Sequence, residues 1–339
     1  MQWRTATISW LVGILLWLSY SPVVAEAWFE FEKSLEVHSA VELDLSLTAG
    51  DVYITKGSGN RLIIEGVKRV WGRDFEDAKR VADLIEIDVR QGGNQVVIAT
   101  NYLPLDPDDK SLLGKKFENG AAHYGNVDYR ITAPAFAKVV IHAKAAQIEL
   151  SSVNADVAIE NGHGSVRVES LFGPLRVRQT SGDIDLANIE GAVDIENGSG
   201  DTRCEFLIGD VTLNQAEGEV DLKWVEGDIR IKSLSAAVQV RQLQGAIDLE
   251  NNDGNVYIQT ELNSPRDFFV RTGSGAIRFS VPEKSAGALK IETESGVIST
   301  ELPISVEAMT ANQLKGVFGR GGTQIELISS SGDVTLAAF

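Results

Sequence analysis

The chain has 339 residues, with 31 basic and 48 acidic side chains and a net charge of −17. That acidity argues against a nucleic-acid partner or an anionic membrane surface, since both call for a basic face. One cysteine, Cys204, leaves no intramolecular disulfide to be made and no thiol near the N-terminus for lipidation.

Residues 1–25 have the form of a signal peptide. Arg4 is their only charge, Ile8 to Tyr20 is an apolar run, and Val23-Val24-Ala25 or Ala25-Glu26-Ala27 supplies small residues for cleavage. The run is short for a membrane span, which needs roughly 20 apolar residues. Export followed by removal is therefore expected, with no integral membrane segment left after cleavage.

Residues 26–145 are predicted to be a β-rich capping part. Alternating apolar residues place strands through Val41 to Leu47, Arg61 to Gly66, Ile85 to Val89, Gln95 to Ala99 and Val127 to Thr132. Between them, Asp74 to Leu84 has one charged and one apolar side at helical spacing, so one short helix is expected. Residues 103–125 form a long irregular excursion, a kind of segment that often carries function on a rigid scaffold.

Over 146–262 the pattern becomes strict. A small residue recurs every nine positions from Ala146 through Ala155, Gly164, Gly173, Gly182, Gly191, Gly200, Gly209, Gly218, Gly227, Ala236 and Gly245 to Gly254. Two and four residues after each comes an apolar side chain, with Thr202 the one polar exception. This is the period of a half-buried strand, and β-branched residues dominate it. A unit so short cannot bury its own apolar face, so its neighbours must stack on it.

The eighth position of each unit sets the size of a coil. There Leu171, Ile189, Leu207, Val225 and Leu243 alternate with Gly162, Thr180, Gly198 and Ala216, and Leu234 is the misfit. The true period is thus eighteen, two strands per coil. Outward charges agree with it: Arg176 and Arg178 precede Asp194 and Glu196, Thr212 and Asn214, Arg230 and Lys232, then Asp248 and Glu250, while the other face runs Arg167, Asp185, Arg203, Asp221. Stacked coils lie roughly 4.8 Å apart, so these signs set register. Asn161, Gln179, Asn197, Gln215, Ser233 and Asn251 form an eighteen-residue polar column expected to bond along the axis. Phe206 over Trp224 is a candidate aromatic stack. Since alanine replaces glycine three times, crowding at the corner explains the glycines better than a required positive φ.

Over 263–339 the phase breaks at Asn263-Ser264-Pro265 and resumes at longer intervals at Gly275, Gly296 and Gly332. Irregular coils with loops at their corners are expected, while the N-terminal part covers the opposite end of the stack. The predicted fold is all-β: a parallel β-solenoid with two strands per 18-residue coil, plus an irregular β-rich N-terminal part with one short helix.

The N-terminal signal, the Gly-Asp-Val and Ser-Gly-Asp-Ile units, "VDYRITAP" with "KVVIHAKAAQIEL", and the tail segments "RTGSGAIRFSVP", "ETESGVIST" and "ISSSGDVTL" resemble the bacterial putative-adhesin family. The resemblance covers most of residues 36–339. It implies a β-strand-repeat domain of unknown function in an exported or envelope protein, and it brings no catalytic residues.

No catalytic, cofactor-binding or metal-binding residue is assigned, and no cofactor is implied. His38, His123, His142 and His163 lack ligand spacing and are expected on the surface; Cys204 falls on an inward position and is expected in the core. Asp183, Asp201 and Glu219, with Asp210 and Asp228, line the corners, but calcium-binding nonapeptides need more glycines per unit than occur here. Solvated carboxylates are the simpler reading. A polysaccharide-active enzyme on a β-helix needs acids converging in a cleft, whereas these are spread periodically.

The expected function is therefore non-catalytic: an exported protein of the periplasm or cell surface with an adhesin-like binding or scaffold role, the alternative being an envelope-stress or assembly accessory protein. The partner class is an envelope protein or a glycan. Scarcity of aromatics on the regular faces, Tyr257 being one, favours a protein.

Overall fold

The computed structural model describes residues 25–72, 74–103, 125–264 and 266–339. Nearly all of the signal segment and of the 103–125 excursion lies outside the described residues.

In chain order the elements are β1 (Ala25–Glu36), β2 (Val41–Lys56), β3 (Arg61–Gly72), α1 (Phe75–Asp83), β4 (Ile85–Gly92), β5 (Gln95–Tyr102), β6 (Gly125–Ala133) and β7 (Phe136–Asn154). The regular region follows with β8 (Asp156–His163), β9 (Val166–Phe172), β10 (Leu175–Ser181), β11 (Ile184–Glu190), β12 (Val193–Ser199), β13 (Thr202–Ile208), β14 (Val211–Glu226), β15 (Ile229–Gln244), β16 (Ile247–Asp253) and β17 (Val256–Thr260). Then come β18 (Phe268–Ser274), β19 (Ile277–Val281), β20 (Gly287–Thr293), β21 (Ile298–Thr300), β22 (Ile304–Met309), β23 (Gln313–Phe318), β24 (Gln324–Ser329) and β25 (Val334–Ala338).

The fold is a parallel β-solenoid with two strands per coil. β10 lies between β8 and β12, with Val177 beside Ile159 and Ile195, and β11 lies between β9 and β13, with Leu186 beside Val168 and Cys204. Residues eighteen apart are vertical neighbours on both faces. β2, β7, β14 and β15 run through a corner and serve both faces. Between the faces, the third and fifth residues of every unit are buried in one continuous apolar core. Thr202 belongs there because its hydroxyl donates to Gln215 Oε1 at 2.6 Å and takes a long bond from Asn197 Nδ2 at 3.5 Å.

The glycine corners obey two constraints at once. At Gly182 φ is +129°, and a Cβ would lie 1.8 Å from the carbonyl oxygen of Gly164, one coil back. Crowding alone, the expectation from sequence, is therefore incomplete, because positive φ is also required. Ala146, Ala155 and Ala236 escape this because their corners take ordinary φ.

Both ends are built out of chain order. At one end the β2 coil is inserted between β7 and a coil made by β5 and β6. β4 then adds antiparallel to β5, β3 to β6, and β1 to β3, covering that end. α1 starts at Asp74, whose carboxylate accepts the Asp77 N–H at 2.8 Å, and buries Ala78, Val81 and Ala82. At the other end the C-terminal coil, β24 and β25, slides between the β18/β19 and β20/β21 coils. The Glu301 carboxylate secures it, accepting from Ala338 N–H at 3.2 Å and Arg278 at 2.9 Å, contacts that hold its pKa below the usual carboxylate range. Antiparallel β23 and β22 close that face.

Candidate functional site

The two faces differ at the seventh position of the unit, and this difference makes a groove. On the face carrying β8, β10 and β12, the seventh residue turns inward, so Asn161, Gln179, Asn197, Gln215 and Asn251 are buried. Their neighbours at the eighth position then face out, and these are small: Gly162, Thr180, Gly198 and Ala216. On the face carrying β9, β11 and β13, the seventh residue is a left-handed bulge, with φ of +56° to +59° at Ser152, Ser170, Asn188, Phe206 and Trp224. One bulged residue reverses the alternation, so Leu171, Ile189, Leu207 and Val225 turn inward. From β15 onward the bulge disappears. Gln242 is the inward residue there and Leu243 is not, which corrects the sequence assignment.

The small eighth-position column leaves a longitudinal groove of about 1520 Å³ along the first face, from Thr100 on β5 to Arg271 on β18. It crosses ten strands, roughly 45 Å at about 4.8 Å per strand. One wall is the charged column, the other the small column, and the buried amides reach its floor. Leu234, the misfit in the sequence, stands 62% exposed in the groove.

The charged wall is zipped up in the predicted register. Arg176 bonds Asp194 at 2.9 Å, Arg178 lies 3.4 Å from Glu196 and 3.9 Å from Glu160, Arg230 reaches Asp248 at 3.4 Å, and Lys232 reaches Glu250 at 3.5 Å. His142 extends it with Glu160 at 3.0 Å. Each exposed pair contributes less than about 1 kcal/mol, so their effect is to fix register and give the groove charges of both signs. Below them the amide column behaves differently from expectation. Asn161, Asn197, Gln215 and Asn251 donate chiefly to the corner carbonyl fifteen residues earlier, at 2.9 to 3.2 Å, while Ser233 to Asn251 at 2.6 Å is an axial bond. The Gln179 amide has neither kind of partner.

The corner acids also have a structural task. Asp183 Oδ1 accepts the Asp201 N–H at 2.9 Å, Asp201 Oδ1 that of Glu219, Asp210 Oδ1 that of Asp228, and Asp228 Oδ1 that of Ala246, each at 3.0 Å. The recurring Gly-Asp pair thus bonds one coil's corner to the next. Among the described residues no group of three or more His, Cys, Asp or Glu is arranged to hold a metal. His163 bonds Ser181 Oγ at 2.7 Å, and His123 lies outside the described residues. Cys204 is buried, and burial pushes its thiol pKa up, away from nucleophilic use.

Phe206 and Trp224 occupy equivalent places on adjacent coils, but no ring contact pairs them, which corrects the predicted stack. Both point outward, as do Phe172, Ile208 and Tyr257. The regular faces therefore carry more exposed aromatics than the sequence suggested. Strict alternation would have placed Phe206 inward, and the bulge that reverses it has no marker in the residue types.

Comparison with solved structures finds low-identity relatives along nearly the whole chain. A putative adhesin from Parabacteroides distasonis is 8% identical, with 91% of this chain and 97% of that one covered and a TM-score of 0.42. A putative adhesin from Bacteroides fragilis is 13% identical over 92% and 97%, with a TM-score of 0.37. A putative lipid binding protein from Parabacteroides distasonis is 10% identical over 90% and 96%, with a TM-score of 0.39. No curated protein matches. The profile of the toastrack family DUF4097 matches residues 115–226 and again 208–337, two overlapping passes over the stacked coils. The chain belongs to the toastrack DUF4097 family.

Proposed function

We propose that this chain is an exported, non-catalytic binding protein of the cell envelope that engages an elongated partner along the groove. The observation that carries the reading is the groove itself: a continuous channel of about 1520 Å³ with both signs of charge on one wall and small residues on the other. Such a surface repeats its chemistry at every coil, which suits a long partner held by many weak contacts. A catalytic cleft would instead gather a few acids at one point. Export rests on the N-terminal sequence, with its lone Arg4 and apolar Ile8 to Tyr20.

Ala216 lies midway along the small column, outside the core. Ala216→Trp is expected to fill the groove and abolish capture of partners from an envelope extract, with thermal stability changed by less than about 0.5 kcal/mol. Undiminished capture by this variant would remove the groove as the site. The identity of what is captured separates an adhesin-like role from an assembly accessory.

A further inference from the structure

The charges on the groove face alternate in sign from coil to coil but change phase once, at β14. At the sixth position of the unit, β8 to β18 present Glu160, Arg178, Glu196, Asn214, Lys232, Glu250 and Arg271 in straight register. At the fourth position Arg176 and Asp194 precede Thr212, and Arg230 and Asp248 follow it. Both columns therefore lose their charge at β14 and resume with the sign inverted. The ladder of own-chain ion pairs gains nothing from this break, since a basic residue at Asn214 and an acidic one at Lys232 would have continued it. What the break does is make each column its own complement when read backwards from β14.

We infer that the occupant of this face is a second copy of the chain, lying antiparallel, with the two-fold axis along β14. Such an axis sets each column against itself and reverses the order of the coils, so the same patch serves both copies. Glu196 then meets Lys232 of the second copy, Arg178 meets Glu250, and Glu160 meets Arg271; in the fourth-position column Asp194 meets Arg230 and Arg176 meets Asp248. Every charge in the two columns faces its opposite, and Thr212 and Asn214, on the axis, meet their own neutral copies. Sliding one copy by a single coil sets Arg178 against Lys232 in one direction and Glu196 against Glu250 in the other, so only one register is left. The same register accounts for Leu234: the one large apolar side chain of the small column, 62% exposed, comes opposite Gly198, where there is room for it. The like charges that it opposes, Asp210 and Glu217 with their own copies and Asp156 with Asp267, sit at the corners, where solvent screens them. Seven strands about 4.8 Å apart and about 20 Å long bury roughly 1,300 Å² over both copies, above the roughly 1,200 Å² of a specific interface. A foreign partner would impose no backward symmetry on the columns. The inference rests on the groove as the binding site and names what fills it.

The test is size exclusion with light scattering on the full exported protein at about 50 μM, where an interface near the lower size bound holds. The parent is expected to be a dimer. Arg230→Glu with Lys232→Glu makes one variant and Asp194→Lys with Glu196→Lys a second. Each sets like charges against its own copy, and each alone is expected to dimerise at least tenfold more weakly. Mixed in equal amounts the two are complementary at every contact and are expected to form a one-to-one heterodimer, a recovery that also shows both to be folded. Leu234→Glu, which alters one exposed side chain, decides independently: it too is expected to weaken the dimer at least tenfold. A monomeric parent, an undiminished dimer of either charge variant or of Leu234→Glu, or a mixture of folded charge variants that stays monomeric overturns the inference. A monomeric parent whose capture of an envelope component is still lost on Ala216→Trp removes the second copy as occupant and leaves the groove reading standing.

Discussion

Gly182→Ala is expected to destabilise the protein by about 3 kcal/mol, one of the largest effects of any single methyl group in the chain. Two costs combine. An L-residue at φ +129° is strained, and its Cβ would stand 1.8 Å from the Gly164 carbonyl oxygen and 2.8 Å from Gln179 Nε2. The carbonyl belongs to the stacked corner one coil back, so relief requires the coils to separate where Gly164 N–H bonds Ser181 O and Val166 N–H bonds Asp183 O. In a stack stabilised by nearest-neighbour contacts, damage at one interface also lowers cooperativity. Denaturant unfolding should therefore show a lower midpoint and a broader transition. Gly92→Ala is the control, because a Cβ there meets nothing within 4 Å and φ is not positive. If both variants unfold alike, the close approach of corners is not what the glycines serve.

The second large effect separates an eighteen-residue deletion from a nine-residue one. Removing residues 209–226 takes out one whole coil and is expected to leave a folded, shorter solenoid. The new neighbours are compatible: Asp194 and Glu196 would meet Arg230 and Lys232, and Glu205 would meet Arg241. Removing only residues 209–217 is expected to abolish folding. The segment from Gly218 to Glu226 would then have to run on the face of the inward amides, carrying the left-handed Trp224 into a position where the seventh side chain must be buried. Every following coil would exchange faces. Circular dichroism and size-exclusion chromatography distinguish the outcomes, and equal behaviour of the two deletions would contradict the coil length.

How much of this was legible in the sequence depends on whether a feature repeats. The period of eighteen showed itself in the alternation of Leu171 and Ile189 with Gly162 and Thr180, because burial and crowding act identically on every coil. The ion pairs of Arg176 and Arg178 followed from the same register. The groove was present in the same data as a column of small eighth-position residues, although its meaning needed the inward turn of the amides. What happens once leaves no period. The intercalation of β24 and β25 beneath β20 and β21 depends on long-range pairing that Gly296 and Gly332 do not order by themselves. Likewise, Phe206 and Trp224 resemble core residues in type, and only the backbone bulge turns them to solvent. The corner aspartates give no sign of their bonds, because a carboxylate next to glycine looks the same in sequence whether it meets water or the N–H of the next coil.

Cross-linking in a Cys204→Ser background measures vertical neighbours directly, since Cys204 is the sole native cysteine. With Arg176→Cys and Asp194→Cys the paired positions face each other on adjacent parallel strands, within the roughly 4.4 to 6.8 Å between Cα atoms that a disulfide spans. This pair is expected to oxidise rapidly and completely, whereas Arg176→Cys with Asp185→Cys, nine residues apart on opposite faces, should stay reduced. Disulfide formation by the second pair and not the first would overturn the winding on which the groove depends.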